Sequence, residues 1–465
     1  MTQNFPSVGI IGAGFSGSLL AVHLLRRLPQ GARVHLIERR SEFGSGLAYS
    51  TANASHLLNV RAERMSAFED DPEHFLRWLA TQPDITPRAG TAFVPRGLYG
   101  RYVQSLLAEQ LWTEGGNRNL YLFPDEASSL DFSDDSVTIR MSGGRPVRVD
   151  VAVLAVGNFP PQVPSGAESL VDSPRYQANP WDVAATAAIR SKASVLVIGT
   201  GLTMVDFVLN LLDRGHRGPI LALSRRGLLP HRHEQGPPPR EWIAEDEPVS
   251  LSTRLRQIRR ATKQQDWRSV FDGLRPHTRS WWNDLSLAER QRFLRHARPW
   301  WDIHRHRMAP DVAERISAAI QQGALSLVAG KFAQIDEDDD RVRITFRPRG
   351  RDRLGQVVVD HVVNCSGPSS DYARIEQPFL RDLLARGEII PDALSLGLAV
   401  DPMLRLLKSD GQPQARLYGM GPVTRGRFWE CTAVPEIRRQ AEELAAQITE
   451  TWATTWATHW AEGFG

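Results

Sequence analysis

The chain has 465 residues, 42% of them hydrophobic, which is enough for a large core and for two or three domains. Its net charge is only +3, and its two distant cysteines, Cys365 and Cys431, support neither a disulfide framework nor a C-x-x-C dithiol; they fit a reducing cytoplasm with both thiols as small packing residues. No run is long and apolar enough to span a membrane, and the apolar stretch at residues 8–25 is broken by four glycines, so it is not read as a secretion signal.

Residues 8–11, Val-Gly-Ile-Ile, read as a buried strand, followed by the G-x-G-x-x-G run Gly12-Ala-Gly14-Phe-Ser16-Gly17 and an apolar helix. Such glycines let a pyrophosphate approach the backbone at a helix start. A second strand, residues 33–37, ends at Glu38, 21 residues beyond Gly17, and is followed by Arg39. A carboxylate there accepts hydrogen bonds from a ribose diol, which favours FAD or NAD over NADP. Gly44-Ser-Gly46 and Leu58-Asn59 come next, small residues and an amide suited to run beside a riboflavin. Helices are expected near residues 74–79 and 99–110, a hairpin around Gly143-Gly144, and a strand over 151–156 ending at Gly157.

The pattern then repeats. Residues 194–198 form a strand, Gly199-Thr-Gly201-Leu202-Thr203-Met204 a second glycine loop with Met204 at the third position, and residues 219–224 a strand followed by Arg225 and Arg226. Guanidinium forks suit a 2′-phosphate, so this loop is assigned to NADPH and the first to FAD. Either loop alone is also compatible with an ordinary strand-to-helix turn; two with opposite charge at the ribose end are not easily explained that way.

Residues 227–310 form an insertion rich in Arg, Trp, His and Pro. Lys and Arg outnumber Asp and Glu nearly two to one between residues 225 and 307. This excess is read as serving phosphates or a carboxylate rather than nucleic acid. His231, His233, His296, His304 and His306 alternate with arginines that would oppose a bound cation, so no metal site is expected. Arg298, Arg305 and Arg307 are expected either near NADPH phosphates or an acidic substrate, or as surface charges. Trp281-Trp282 and Trp300-Trp301 are adjacent aromatic pairs.

A helix is expected over residues 311–323, and the acidic run at 337–340 reads as a solvated hairpin turn. Residues 357–367 read as a strand ending at Gly367 that returns the chain to the first domain. Residues 416–421 run into Gly421, and residues 433–447 form a helix, with Glu430 and Thr432 in the loop between. Trp452, Trp456 and Trp460 share a helical face that packs on this chain or on a second copy. The expected fold is therefore α/β, with two Rossmann-like domains and a helical insertion. A discontinuous FAD domain (residues 1–185 and 356–465) holds an inserted NADP domain (residues 186–355, with the insertion at about 228–310).

The stretch Leu58-Asn59-Val-Arg-Ala-Glu-Arg-Met65-Ser66-Ala-Phe68-Glu-Asp70-Asp-Pro72 resembles flavin-containing monooxygenases, within the group that includes N-hydroxylating and Baeyer–Villiger enzymes. The resemblance implies that Asn59 stands beside the flavin and supports its oxygenated form; Met65 and Phe68 are read as packing residues, with a cofactor contact as the alternative for Met65. A narrower similarity, to bacterial FAD/NAD(P)-binding proteins like YdhS, runs the length of the chain through Gly44 to Tyr49, Phe93 to Gly100, Gly199 to Asp206, His296 to Asp302, and Gly421 to Gly426 with Trp429-Glu430. The F-x-G-x-x-x-H-x-x-x-W/P signature that Baeyer–Villiger and flavin-containing monooxygenases usually carry is missing near Asn158, which argues against ketone oxygenation. What the resemblance implies is an NADPH-fed flavoenzyme using O₂ to oxygenate a small amine or amino acid through a C4a-(hydro)peroxyflavin. The alternatives are a reductase passing electrons to a small acceptor, and a non-catalytic FAD sensor.

Overall fold

A computed structural model describes residues 5–29, 31–83, 90–111, 119–242, 249–338 and 340–462, with side chains up to residue 452. The chain divides into two compact units. The first comprises Met1–Ala54, Val60–Asn158 and Ser370–Gly465; the second comprises Ser55–Asn59 and Phe159–Ser369.

In the first unit every residue of the strand Ser7–Ile11 is buried, as expected for a parallel strand covered on both faces. It sits inside a six-stranded sheet in the order Arg405–Leu407, Pro413–Gly419, Val151–Leu154, Ser7–Ile11, Arg33–Ile37, Leu120–Phe123, parallel except at the Arg405–Leu407 edge. The helix Phe15–Leu25 is apolar nearly all round and packs against Arg96–Leu111 and the long helix Val434–Glu462. A three-stranded antiparallel sheet, Ala127–Phe132, Val137–Met141 and Val147–Val149, contains the hairpin expected at Gly143-Gly144.

The second unit has a seven-stranded sheet in the order Gly355–Val359, Arg341–Pro348, Leu325–Asp338, Ile220–Ser224, Val195–Ile198, His361–Asn364, Tyr176–Gln177. Arg341–Pro348 pairs antiparallel with both of its neighbours, and the remaining pairings are parallel. Its core gathers Leu196, Ile198, Leu223, Ile335, Val342, Ile344 and Val362. The insertion between Ser224 and Pro310 is helical: Leu251–Gln264, Trp267–Gly273, Thr278–Asp284, Leu287–Arg292, a π-helical turn Phe293–Ala297, and Arg298–Arg305. The strands Leu325–Asp338 and Arg341–Pro348 pair across the acidic run as an antiparallel hairpin.

Two boundaries differ from the sequence expectation. The cuts at 185/186 and 355/356 move to 158/159 and 369/370, because Tyr176–Gln177 and His361–Asn364 pair within the second sheet. The strand before Gly367 therefore completes the second unit instead of returning the chain to the first. The side chains of Trp456 and Trp460 lie outside the described residues. No helix among the described residues is long and apolar enough to cross a membrane.

Candidate functional sites

Both units build the same backbone device from different sequences. In the first, the Gly12 N–H donates to the Ile37 carbonyl at 2.8 Å; in the second, the Gly199 N–H donates to the Leu223 carbonyl at 2.8 Å. Gly12 has φ +104° and Gly199 φ +109°, and a Cβ on either would collide with a strand-end carbonyl, Ala155 or Cys365. Each glycine strand is also locked at its base by an aspartate. Asp150 accepts from the Ser7 N–H at 2.6 Å, and Asp360 from the Ser194 N–H at 2.6 Å.

The helices that follow begin at Gly14 and Gly201, both extended, with no side-chain cap and no acid in the first turn. Other helices here are capped by their own side chains, such as Asp182, Ser250 and Ser286. Uncapped first-turn N–H groups and the positive end of the helix dipole favour an anion. There is room for one: a Cβ on Gly201, Gly157 or Gly367 would meet nothing within 4 Å, and on Gly14 only the Gly46 Cα at 3.5 Å. The residues thus fit a pyrophosphate in each unit.

In the first unit Glu38 Oε2 accepts the Ala13 N–H at 2.9 Å and Oε1 accepts the Arg40 N–H at 3.1 Å, fixing the carboxylate at the end of its strand. Arg39 is exposed, its guanidinium 3.9 Å from Glu126. Gly46 lies against Gly14, and the Gly44 N–H donates to the Ala13 carbonyl at 2.8 Å. The C-terminal part of the chain closes on the same loop: a Cβ on Gly421, which has φ +74°, would fall 2.5 Å from Ser16 Oγ. Gln440, which sequence reasoning missed, accepts the Gly421 N–H at 2.7 Å and donates to Thr424 Oγ1 at 3.0 Å. Glu430 is buried in the following loop, after Trp429 at φ +52°. Met65 is only 1% exposed and packs in the interior of the first unit.

In the second unit the residue in register with Glu38 is Ser224. Its Oγ lies 2.9 Å from Thr200 Oγ1 and accepts the Gly227 N–H at 3.0 Å. The two arginines therefore follow the ribose-end position instead of occupying it. Arg225 is exposed; Arg226 donates to the His296 carbonyl at 3.4 Å. Leu202 and Thr203 are half-buried at the helix start, and Met204, fully buried, takes the place that Gly17 holds in the first unit.

Leu58 and Asn59 belong to the second unit. The Asn59 carbonyl accepts from His233 Nε2 at 2.9 Å, and the carbonyl of Asp206, in the helix that starts after Gly201, accepts from His56 Nε2 at 3.0 Å. In the insertion, His231 and His304 lie 4.7 Å apart, ring to ring, and both pack on Trp267. Burial lowers the pKa of both. Among the described residues no group of three His, Cys, Asp or Glu could hold a metal. Arg307 is 3% exposed and makes a bidentate pair with Asp272 at 2.9 and 3.1 Å. It is a core cation, which corrects its expected place near phosphates or at the surface.

Residues 9–159 match a family described as FAD-NAD(P)-binding. The ornithine hydroxylase of Pseudomonas aeruginosa superimposes with TM-score 0.66 at 17% identity over 96% of this chain and 99% of that one. The chain has the two-dinucleotide-binding flavoprotein fold. Two other proteins with this fold are similar at the same level: the L-lysine 6-monooxygenase of Pseudomonas syringae (TM-score 0.63, 15% identity, 96% and 99% covered), and the cadaverine monooxygenase of Erwinia amylovora, bound to FAD (0.63, 12%, 97% and 95%). No curated protein matches the sequence. The oxidoreductase fold and the FAD-NAD(P)-binding first domain thus agree with the chemistry inferred from the glycine loops.

Proposed function

We propose that the protein is an FAD-dependent, NADPH-using monooxygenase of a small primary amine or amino acid. The observation that carries this reading is the register of the two loops: Glu38 at the ribose end of one, and Ser224 followed by Arg225 and Arg226 at the other. The carboxylate suits the free diol of the FAD ribose; the neutral Ser224 leaves room and positive charge for a 2′-phosphate. Gly12, Gly14, Ser16, Gly17, Gly46, Gly157 and Gly421 would hold FAD, and Gly199, Gly201, Leu202, Thr203 and Gly367 would hold NADPH.

FAD supplies hydride acceptance from NADPH and activation of O₂. The chain's own groups bind and orient: uncapped N–H groups neutralise the pyrophosphates, and Asn59, its carbonyl held by His233, offers an amide as hydrogen-bond donor. The balance is amine, NADPH, a proton and O₂ giving hydroxylamine, NADP⁺ and water. The amine class is supported by ornithine, lysine and cadaverine as the substrates named for the structural neighbours.

The test is stopped-flow absorbance of the FAD-loaded protein, reduced by NADPH without oxygen and then mixed with oxygenated buffer. A long-lived species absorbing at shorter wavelength than oxidised flavin is expected. Direct return to oxidised FAD, with or without ornithine, lysine or cadaverine, assigns the protein to the reductases; failure of NADPH to bleach the flavin assigns it to the sensors.

A further inference from the structure

The motif His296-Ala-Arg-Pro-Trp-Trp-Asp302 has no part in the function so far. It begins in the π-helical turn Phe293–Ala297 and continues into the helix Arg298–Arg305. Pro299 has no N–H to give the Arg295 carbonyl four residues back, which favours a wider turn at this point. Single π turns of this kind are frequent at functional sites. Here the His296 carbonyl accepts from the Arg226 guanidinium at 3.4 Å.

Four residues on, Trp300 is 44% exposed, while Trp282 and Trp301 of the same insertion are buried or half-buried. The Arg226 guanidinium lies 6.0 Å from the centroid of the Trp300 ring, at the outer reach of a cation–π contact. Gly227, at φ +61°, turns the chain directly after Arg226, and its N–H is tied to Ser224 Oγ. Arg226 thus stands between the ribose-end position, Ser224, and an exposed indole. In an adenosine 2′-phosphate, the phosphate and the base are neighbours on one ribose. A guanidinium beside an aromatic ring two residues beyond the ribose position matches that pair in charge and in π character.

We infer that Trp300 is a binding residue for the adenine ring of the nicotinamide cofactor, with Arg226 beside it taking the 2′-phosphate. The inference rests on the NADPH reading of the second glycine loop. It gives the insertion a role: one wall of the nucleotide site comes from the π turn and the first turn of the helix after it.

The experiment uses FAD-loaded protein and two probes lacking nicotinamide, ADP and 2′,5′-ADP, titrated calorimetrically. Trp300→Ala and Trp300→Leu are expected to weaken both probes roughly tenfold, and Trp300→Phe to hold both within about threefold of the parent. Arg226→Ala is expected to weaken 2′,5′-ADP roughly tenfold and ADP little. Trp300→Leu keeps apolar bulk without a π face, so a folding defect in Trp300→Ala leaves the test intact. Unchanged binding in both Trp300→Ala and Trp300→Leu overturns the adenine assignment while the NADPH reading stands. Equal losses of both probes in Arg226→Ala overturn the phosphate assignment. If the parent protein binds neither probe, the NADPH reading itself fails and the inference falls with it.

Discussion

Glu38 accepts the backbone N–H of Ala13 at 2.9 Å, so the acid at the end of the second strand and the glycine loop of the first hold each other in place. One carboxylate oxygen is committed to the loop and one to the Arg40 N–H, each with a lone pair left for a ribose hydroxyl. Glu38→Ala is expected to raise the dissociation constant for FAD at least tenfold. The check is the ratio of flavin to protein absorbance after gel filtration, with Glu38→Gln falling between the two.

Arg225 is exposed at the end of the corresponding strand in the second unit. Arg225→Ala is expected to raise KM for NADPH about tenfold and to leave KM for NADH nearly unchanged, since only NADPH carries the charge that a guanidinium pairs with. Equal effects on the two reductants would remove 2′-phosphate recognition from this residue.

Gly421 and Ser16 leave no space for a side chain between them. Gly421→Ala adds both a clash and an unfavourable positive φ, and is expected to destabilise the first unit by about 1–3 kcal/mol. Ser16→Gly in the same chain relieves the clash but not the backbone strain, so a double-mutant cycle of thermal midpoints should return part of the loss.

How much of this was legible in the sequence follows from which interactions are local. The glycine loops were legible because a tight turn at a strand end needs glycine at fixed spacing, whatever surrounds it. The register of Ser224 with Glu38 was not, because it depends on which carbonyl pairs with Gly199. The strand before Gly367 carries the same signature as the strand before Gly157, and only its pairing with Val195–Ile198 places it in the second sheet. The bond from His233 to the Asn59 carbonyl joins residues 174 positions apart, and no local pattern announces it. Arg307 looked like its neighbours among the basic residues until burial against Asp272 set it apart.

That pair is itself testable. Asp272→Ala leaves the Arg307 guanidinium buried without its counter-charge and is expected to cost on the order of 2–3 kcal/mol. Asp272→Ala with Arg307→Met removes the stranded charge and should recover most of the loss in urea unfolding.

His35 is buried beside Tyr121, their rings 5.0 Å apart and stacked, and desolvation lowers its pKa from 6.5 to about 4. Between those values the unfolded chain binds a proton that the folded chain refuses. The stability is therefore full above pH 6.5 and falls as pH drops toward 4, by up to about 3 kcal/mol from this group. His35→Phe keeps the stacking and removes the titration. Its thermal midpoint should drop less than the parent's between pH 7 and pH 4.5, with His23, also lowered by burial, keeping part of the acid slope.

The two cysteines have a practical meaning. Cys431 is buried in the first unit and Cys365 in the second, and burial pushes the first thiol up to about 12 and the second well above its usual value. Neither reacts with an alkylating reagent until its surroundings open. The sequence thus contains one silent chemical clock in each unit: the rate at which each thiol is trapped, read by peptide mass, times the opening of the first and the second unit separately, without any label being engineered in.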